Sequence, residues 1–199
     1  SPIAFRFLDQ SDTEIKMEPS GFHFQKKEQG TVTWVANSTS PQMEMKVNGT
    51  LEFDGFAHFE VLVTAKEDQQ LNDIGLVVPM HENASKYMLG LGHKGGKRPE
   101  EVDWKWDVAH KNQDGTWLGD VNAGLQLSLR DQNYERPLNT NFYLQKPLRL
   151  PNSWGNGNKG GIRISEEGGS VLLDNYSGAR TLKKGDTLYY NFTLLITPF

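Results

Sequence analysis

Apolar and polar residues alternate along most of this chain, and that alternation limits its fold more than any other feature. Phe59, Val61, Val63 and Ala65 share one face of an extended run, while His58, Glu60 and Thr64 share the other. Met43, Met45 and Val47 alternate with Glu44 and Lys46, and Leu125, Leu127 and Leu129 alternate with Gln126, Ser128 and Arg130. Ile162 and Ile164 alternate with Arg163 and Ser165. Near the C-terminus Leu188, Tyr190, Phe192, Leu194 and Ile196 take one face, with Tyr189, Asn191 and Thr193 on the other. A period of two means strands with one buried and one wetter face, which belong to antiparallel sheets.

Turn signals separate these runs: Asn48-Gly49, Asp54-Gly55, Asp114-Gly115, Gly168-Gly169 and Lys184-Gly185-Asp186. The first two bracket a short expected strand over residues 50–53. Further strands are expected over residues 3–7, 22–24, 31–36, 71–78, 87–91, 116–118 and 171–176. Trp34, inside the run 31–36, reads as core. No long stretch carries a helical period, and residues 82–88 have room for one turn. The fold class is therefore all-β: an antiparallel two-sheet β-sandwich, with length enough for a large, supersandwich-like one, and almost no helix. Residues 1–199 read as a single such domain. The Gly/Asn-rich segment 152–161, which contains Trp154, reads as a long surface loop.

A chain of 199 residues buries a core without disulfides, and it has no cysteine. Thiolate metal sites and cysteine nucleophiles are thereby excluded. A net charge of −4 disfavours non-specific nucleic-acid binding, which needs a basic face. No apolar run approaches the roughly 20 residues of a membrane span, and no signal peptide is present. The first residue is Ser1, which suggests a piece excised from something longer.

The functional signal is concentrated in residues 87–124. This stretch holds Trp104, Trp106 and Trp117, a run of glycines, and dense charges of both signs. Gly90-Leu-Gly92-His-Lys-Gly95 spells a dinucleotide-binding pattern, but Gly96-Lys97-Arg98-Pro99 follows where a helix should open. The P-loop pattern fails as well, since Leu91 and Arg98 stand where Gly and Ser or Thr are needed. Trp104 and Trp106 are two apart, so on a strand they face the same way, with Asp103 and Asp107 flanking them. Such a pair either stacks on sugar rings or covers a neighbouring domain. Glu100, Glu101, Asp103, Asp107, Asp114 and Asp120 supply carboxylates, but their spacing indicates no converging acid pair. His93 and His110 have no histidine at metal-ligand spacing, so no cofactor or metal is expected; a calcium site of loop oxygens stays open. No serine lies in a nucleophile elbow. Asn191 heads a glycosylation triplet, but inside an expected strand.

Several blocks are familiar together: Tyr87-Met-Leu-Gly-Leu-Gly-His-Lys-Gly-Gly96, Val102-Asp-Trp-Lys-Trp-Asp107, Trp117-Leu-Gly-Asp-Val-Asn-Ala-Gly-Leu125, Ser153-Trp-Gly-Asn-Gly157, Tyr176-Ser-Gly-Ala-Arg180 and Leu194-Leu-Ile-Thr-Pro-Phe199. Across residues 50–199 they resemble the N-terminal region of large bacterial glycoside hydrolases similar to glycoside hydrolase family 123. The resemblance implies a β-sandwich placed before a catalytic barrel, in an exported protein, periplasmic or at the cell surface. In that family an Asp-Glu pair on the barrel assists removal of N-acetylgalactosamine. This chain has no Asp-Glu dipeptide and no barrel pattern, so no catalytic residue carries over.

Three readings follow. The first is a non-catalytic accessory domain that packs on the barrel of the same polypeptide and shapes its glycan cleft. Its expected contact residues are Trp104, Trp106, Trp117, Trp154, His93, Lys97, Arg98, Asp103 and Asp107. The second is an independent carbohydrate-binding module that uses the same rings. The third is a self-sufficient glycan-active sandwich, with Asp103, Asp107 and Asp120 as its acids. A flat apolar patch favours the first, an open ring platform the second, and two carboxyl groups about 5–10 Å apart in one cleft the third. An exposed indole pair also predicts that changing Trp104 and Trp106 to Ala costs the isolated fold little.

Overall fold

A computed structural model describes residues 2–106, 115–133 and 151–198. Of these, 64% are in strands and 6% in helical turns, so the expected antiparallel sandwich with almost no helix is what the chain forms. In chain order the strands are β1 (Ala4–Asp9), β2 (Glu18–Lys27), β3 (Thr31–Thr39), β4 (Met43–Glu52), β5 (Phe56–Ala65), β6 (Gln69–His81), β7 (Tyr87–Gly90) and β8 (His93–Lys97). They continue with β9 (Val102–Lys105), β10 (Thr116–Asp120), β11 (Ala123–Leu129), β12 (Gly161–Glu167), β13 (Ser170–Tyr176), β14 (Arg180–Leu182), β15 (Thr187–Tyr189) and β16 (Phe192–Thr197). The smaller sheet runs β1-β6-β13-β12-β9, with β14 also on β6. The larger runs β2-β3-β4-β5-β16-β11-β10-β7-β8, with β15 also on β5.

The core lies between the sheets. Phe7, Ile74, Leu76, Val78, Ile162, Ile164, Val171 and Leu173 of the smaller sheet meet Met43, Val61, Val63, Met88, Leu118, Leu127 and Leu129 of the larger. Burial of apolar side chains at about 25 cal/mol per Å² is what holds the two layers together.

Two strands are each broken once, and the breaks face one another. Leu71 pairs with Asp9 on one side and Arg180 on the other, so β13 and β14 lie end to end along the same edge of β6. In the gap, the Asp73 carboxylate accepts the Ser177 and Gly178 backbone N–H groups at 3.0 and 2.8 Å. Likewise β15 and β16 lie end to end on β5, where Asn191 Oδ1 accepts the Val61 N–H at 2.9 Å. The Asn191 side chain thus completes the ladder and is buried, which removes it as a glycan acceptor. The Ser177 and Tyr190 hydroxyls meet at 2.9 Å between the breaks, and burial pushes the Tyr190 phenol up to about 12.

Three local expectations need correction. Asn48-Gly49 is no turn but the middle of β4. Gly49 sits opposite Trp34 in register, and a Cβ there would overlap the indole, so the glycine serves packing rather than a bend. Trp34 itself is half-buried, edge-on to Phe59, because β2 and β3 reach beyond the smaller sheet. Segment 152–161 is not a loose surface loop. Asn152–Gly155 forms one helical turn that plugs Trp154 into the core. The single turn expected within 82–88 is present as a 3-10 turn at Glu82–Ala84.

The outer strands of the larger sheet form a wing, in which β3 is half-buried apart from the buried Val35. Every residue of β2 is exposed. Phe22 and Phe24 pair with Ala36 and Trp34, on the side that continues the core-facing surface through Gly49 to Phe59. They are 59% and 47% exposed, and their rings meet edge to face at 5.0 Å.

Candidate functional site

The expected functional stretch folds into the β7–β8 hairpin at the far edge of the larger sheet. Its two turn residues, Leu91 and Gly92, both have positive φ, 50° and 81°, the combination a tight two-residue hairpin turn uses. No helix opens after Gly95, since His93–Lys97 is a strand; the dinucleotide pattern is a hairpin. Depressions lie on either side. One, of about 590 Å³, is lined by Tyr87, Leu89, His93, Gly95, Gly96, Gly115, Trp117 and Gln126 among others. The other, of about 630 Å³, holds Glu82, Lys86, Tyr87, Lys97, Arg98, Glu100 and Glu166.

Trp117 is central to the first. On β10 it stands between Leu89 of β7 and Gln126 of β11, all three in one row on the outer face. Its ring lies across Gly119 and Gly124, where any Cβ would run into the indole. Its Nε1–H donates to Thr197 Oγ1 at 3.1 Å, which fixes the ring against the sheet. Tyr87 and Leu89 beside it are 43% and 53% exposed.

The other expected contact residues disperse. Trp104 and Trp106 do face the same way, with ring centroids 4.9 Å apart. That face is the inner one, however: Trp104 pairs with Ile162, whose side chain is core. Trp106 is 1% exposed and Trp154 0%, so both are core residues rather than contact surfaces; Trp104 is half-buried because β9 is an edge strand. Asp103, expected to flank the indoles, points to the opposite, outer face. There it pairs in register with Arg163 and accepts from the Tyr176 hydroxyl at 3.2 Å. Lys105 also bonds that hydroxyl, and the Arg163 guanidinium lies 4.1 Å from the Tyr176 ring centroid. Burial raises the Tyr176 phenol above its usual range. Asp107 lies outside the described residues.

Arg98 is a strut, not a contact. Its buried guanidinium group donates to the Ser85 carbonyl at 2.8 Å and the Pro99 carbonyl at 2.7 Å, and pairs with Glu166 of β12. It thereby ties the hairpin's end to the opposite sheet. Arg98→Ala orphans these acceptors and is expected to cost about 2 kcal/mol in urea unfolding, with Lys recovering only part. A loss under about 0.5 kcal/mol, the range of ordinary surface changes, would show the strut to be dispensable.

Of the candidate acids, Asp103 and Asp120 are described and do not share a cleft. Asp103 belongs to the smaller sheet, while Asp120 ends β10 of the larger. The Lys86 ammonium, 2.9 Å away, holds Asp120 below the usual carboxylate range. Glu60 and Asp131 line a third depression of about 320 Å³. Asp131 there accepts the Asn133 and Asn152 N–H groups at 2.7 and 2.5 Å, so both its oxygens serve the local fold. Among the described residues no group of three His, Asp or Glu side chains is placed to hold a metal. None of the described helices is long and apolar enough to cross a membrane.

Sequence reasoning missed Tyr87, Leu89, Gln126, Phe22 and Phe24. Leu89 and Gln126 could have been found by carrying the alternation across neighbouring strands, since both share Trp117's row. Phe22 and Phe24 look like any core pair in sequence; only the extent of the smaller sheet leaves them open.

These features define an all-β sandwich domain with surface depressions and, in one of them, an indole fixed against the sheet. The chain belongs to the family described as glycoside hydrolase 123, third domain, whose model matches residues 1–198. The match takes in the first fifty residues, which the sequence blocks had left out, and it describes a third domain rather than an N-terminal one. That description is consistent with other domains in the same polypeptide. No curated relative matches the chain. Among solved structures, a mutant of the heparan sulfate lyase HepC from Pedobacter heparinus superposes with a TM-score of 0.46 at 6% identity, over 88% of this chain and 21% of the lyase. The Slr1438 protein from Synechocystis sp. PCC 6803 gives 0.45 at 10% identity, over 90% of this chain and 65% of its own. The chain therefore spans about a fifth of one and under two thirds of the other, and both superpositions are loose.

Proposed function

We propose that this chain is a non-catalytic accessory domain of a glycoside hydrolase, packing through its open wing on the catalytic barrel of the same polypeptide. The observation that carries the reading is the exposed apolar face of the wing. Phe22 and Phe24 prolong the core surface past the end of the smaller sheet, where isolated domains rarely leave large rings in water. Membership of a third-domain family supports the reading. The enzyme reading is weaker, because Asp103 and Asp120 belong to different sheets. An exported parent, outside the cytoplasm, is part of the same proposal.

The test compares the domain with the complete polypeptide. The domain alone is expected to give no turnover of aryl N-acetylhexosaminides above blank. In the complete polypeptide the amides of β2 and β3 should exchange at least tenfold more slowly than in the domain alone. Changing Phe22 and Phe24 together to Asp should abolish that protection without unfolding the sandwich. Turnover by the domain that disappears in Asp103→Ala would overturn the accessory reading. Equal exchange in the two forms would overturn the wing as its contact.

A further inference from the structure

The wing accounts for one end of the larger sheet and leaves the Trp117 depression, at the other end, without a role. We infer that this depression is a binding site for a neutral pyranose ring of a glycan, with Trp117 as its stacking platform. Three observations converge on that chemistry. The indole is laid along the outer face of the sheet over two glycines, Gly119 and Gly124, and its Nε1–H is taken by Thr197 Oγ1. A ring fixed in this way loses no rotamer freedom when a ligand settles on it, and its π-face meets the weakly positive C–H groups of a sugar. Next, the depression has the size of one or two sugar units, about 590 Å³, and Gly95, Gly96 and Gly115 line it with backbone rather than side chains. Finally, its polar side chains are few and of the kind that bond hydroxyls: the Gln126 amide, which donates and accepts, the His93 imidazole and the Tyr87 hydroxyl. Among the described residues no carboxylate or ammonium group lines it, which fits a neutral ligand rather than a sulfated or uronic one.

The site is separate from the proposed barrel contact. The β7–β8 edge and the β2 edge are opposite ends of the larger sheet, so a companion domain on the wing leaves the depression open. The two proposals can therefore fail independently.

The experiment titrates the protein, labelled with 15N, with the methyl β-pyranosides of galactose and glucose and with their 2-acetamido-2-deoxy counterparts, each to 50 mM. The expected result is saturable movement of the Trp117 indole N–H and the Gly95, Gly96 and Gly115 amides with at least one of the four. Trp117→Ala should weaken that binding at least tenfold. Gln126→Ala, which leaves the indole in place, should weaken it severalfold and keeps the test valid if the tryptophan variant folds poorly. Silence from all four glycosides, or movement that survives both changes undiminished, would overturn the assignment.

Discussion

Changing Trp154 to Ala is expected to lower the stability of the domain by about 3–5 kcal/mol, and changing Trp106 to Ala by a similar amount. Trp154 is fully buried against Tyr190, edge to face at 4.7 Å, and its Nε1–H donates to the Asn191 carbonyl at 3.0 Å. Its loss opens a cavity beside the two strand breaks and leaves that carbonyl without its indole donor. Trp106 packs edge to face on Trp104 within the buried core, and its loss leaves a cavity at the end of β9. Whole domains are stable by only about 5–15 kcal/mol, so either change removes a large share. Trp104→Ala and Trp117→Ala, at half-buried positions, should cost clearly less. Urea unfolding of the four single variants ranks them directly. If Trp106→Ala unfolds within about 1 kcal/mol of the parent, its indole is not the core residue described here.

Gly90→Ala is expected to cost about 3 kcal/mol or more, from strain and overlap together. Gly90 has φ of +109°, where L side chains are strained, and a Cβ there would run into the Gly115 carbonyl oxygen across β10. The neighbour is backbone, so it cannot turn aside. Damage should centre on the β7–β8 hairpin: the amides of Gly95 and Gly96 should lose protection from exchange before those of β5 or β6. Gly92→Asn is the control. Gly92 is in a left-handed turn with φ of +81° and nothing within 4 Å of an added Cβ, and Asn tolerates that region. A Gly90→Ala variant as stable as Gly92→Asn would refute the close approach of the two strands.

Strand existence was legible in this chain because alternation and burial follow the same period; β5, β6, β13 and β16 all carry it. Strand continuity was harder to see. The run from Leu188 to Ile196 alternates without fault, yet the ladder breaks at Tyr190 and Asn191, because a side-chain amide replaces one backbone partner. The face of Trp104 and Trp106 was legible only up to a sign. Spacing puts both rings on one side, but which side is core depends on pairing with Ile162, nearly sixty residues away in sequence. Glycine was the least transparent letter. Gly49, Gly119 and Gly124 look like turn residues in sequence, but each lies in a strand and leaves room for an indole.

Among the described strands β2 ends the larger sheet, and its free edge has a further consequence. An exposed strand with apolar rings would ordinarily recruit a second copy by extending the sheet, and chains like it tend to polymerise. Here the pairing of β2 with β3 slips twice, between Pro19 and Gly21 and again between Phe24 and Lys26. Pro19 has no N–H to offer, and Lys26 and Lys27 bring charge to the same edge. A newcomer strand would find no unbroken row of hydrogen-bonding groups to follow. Whatever settles on Phe22 and Phe24 must therefore come in broadside, side chain against side chain, and can leave again without any β-ladder being torn.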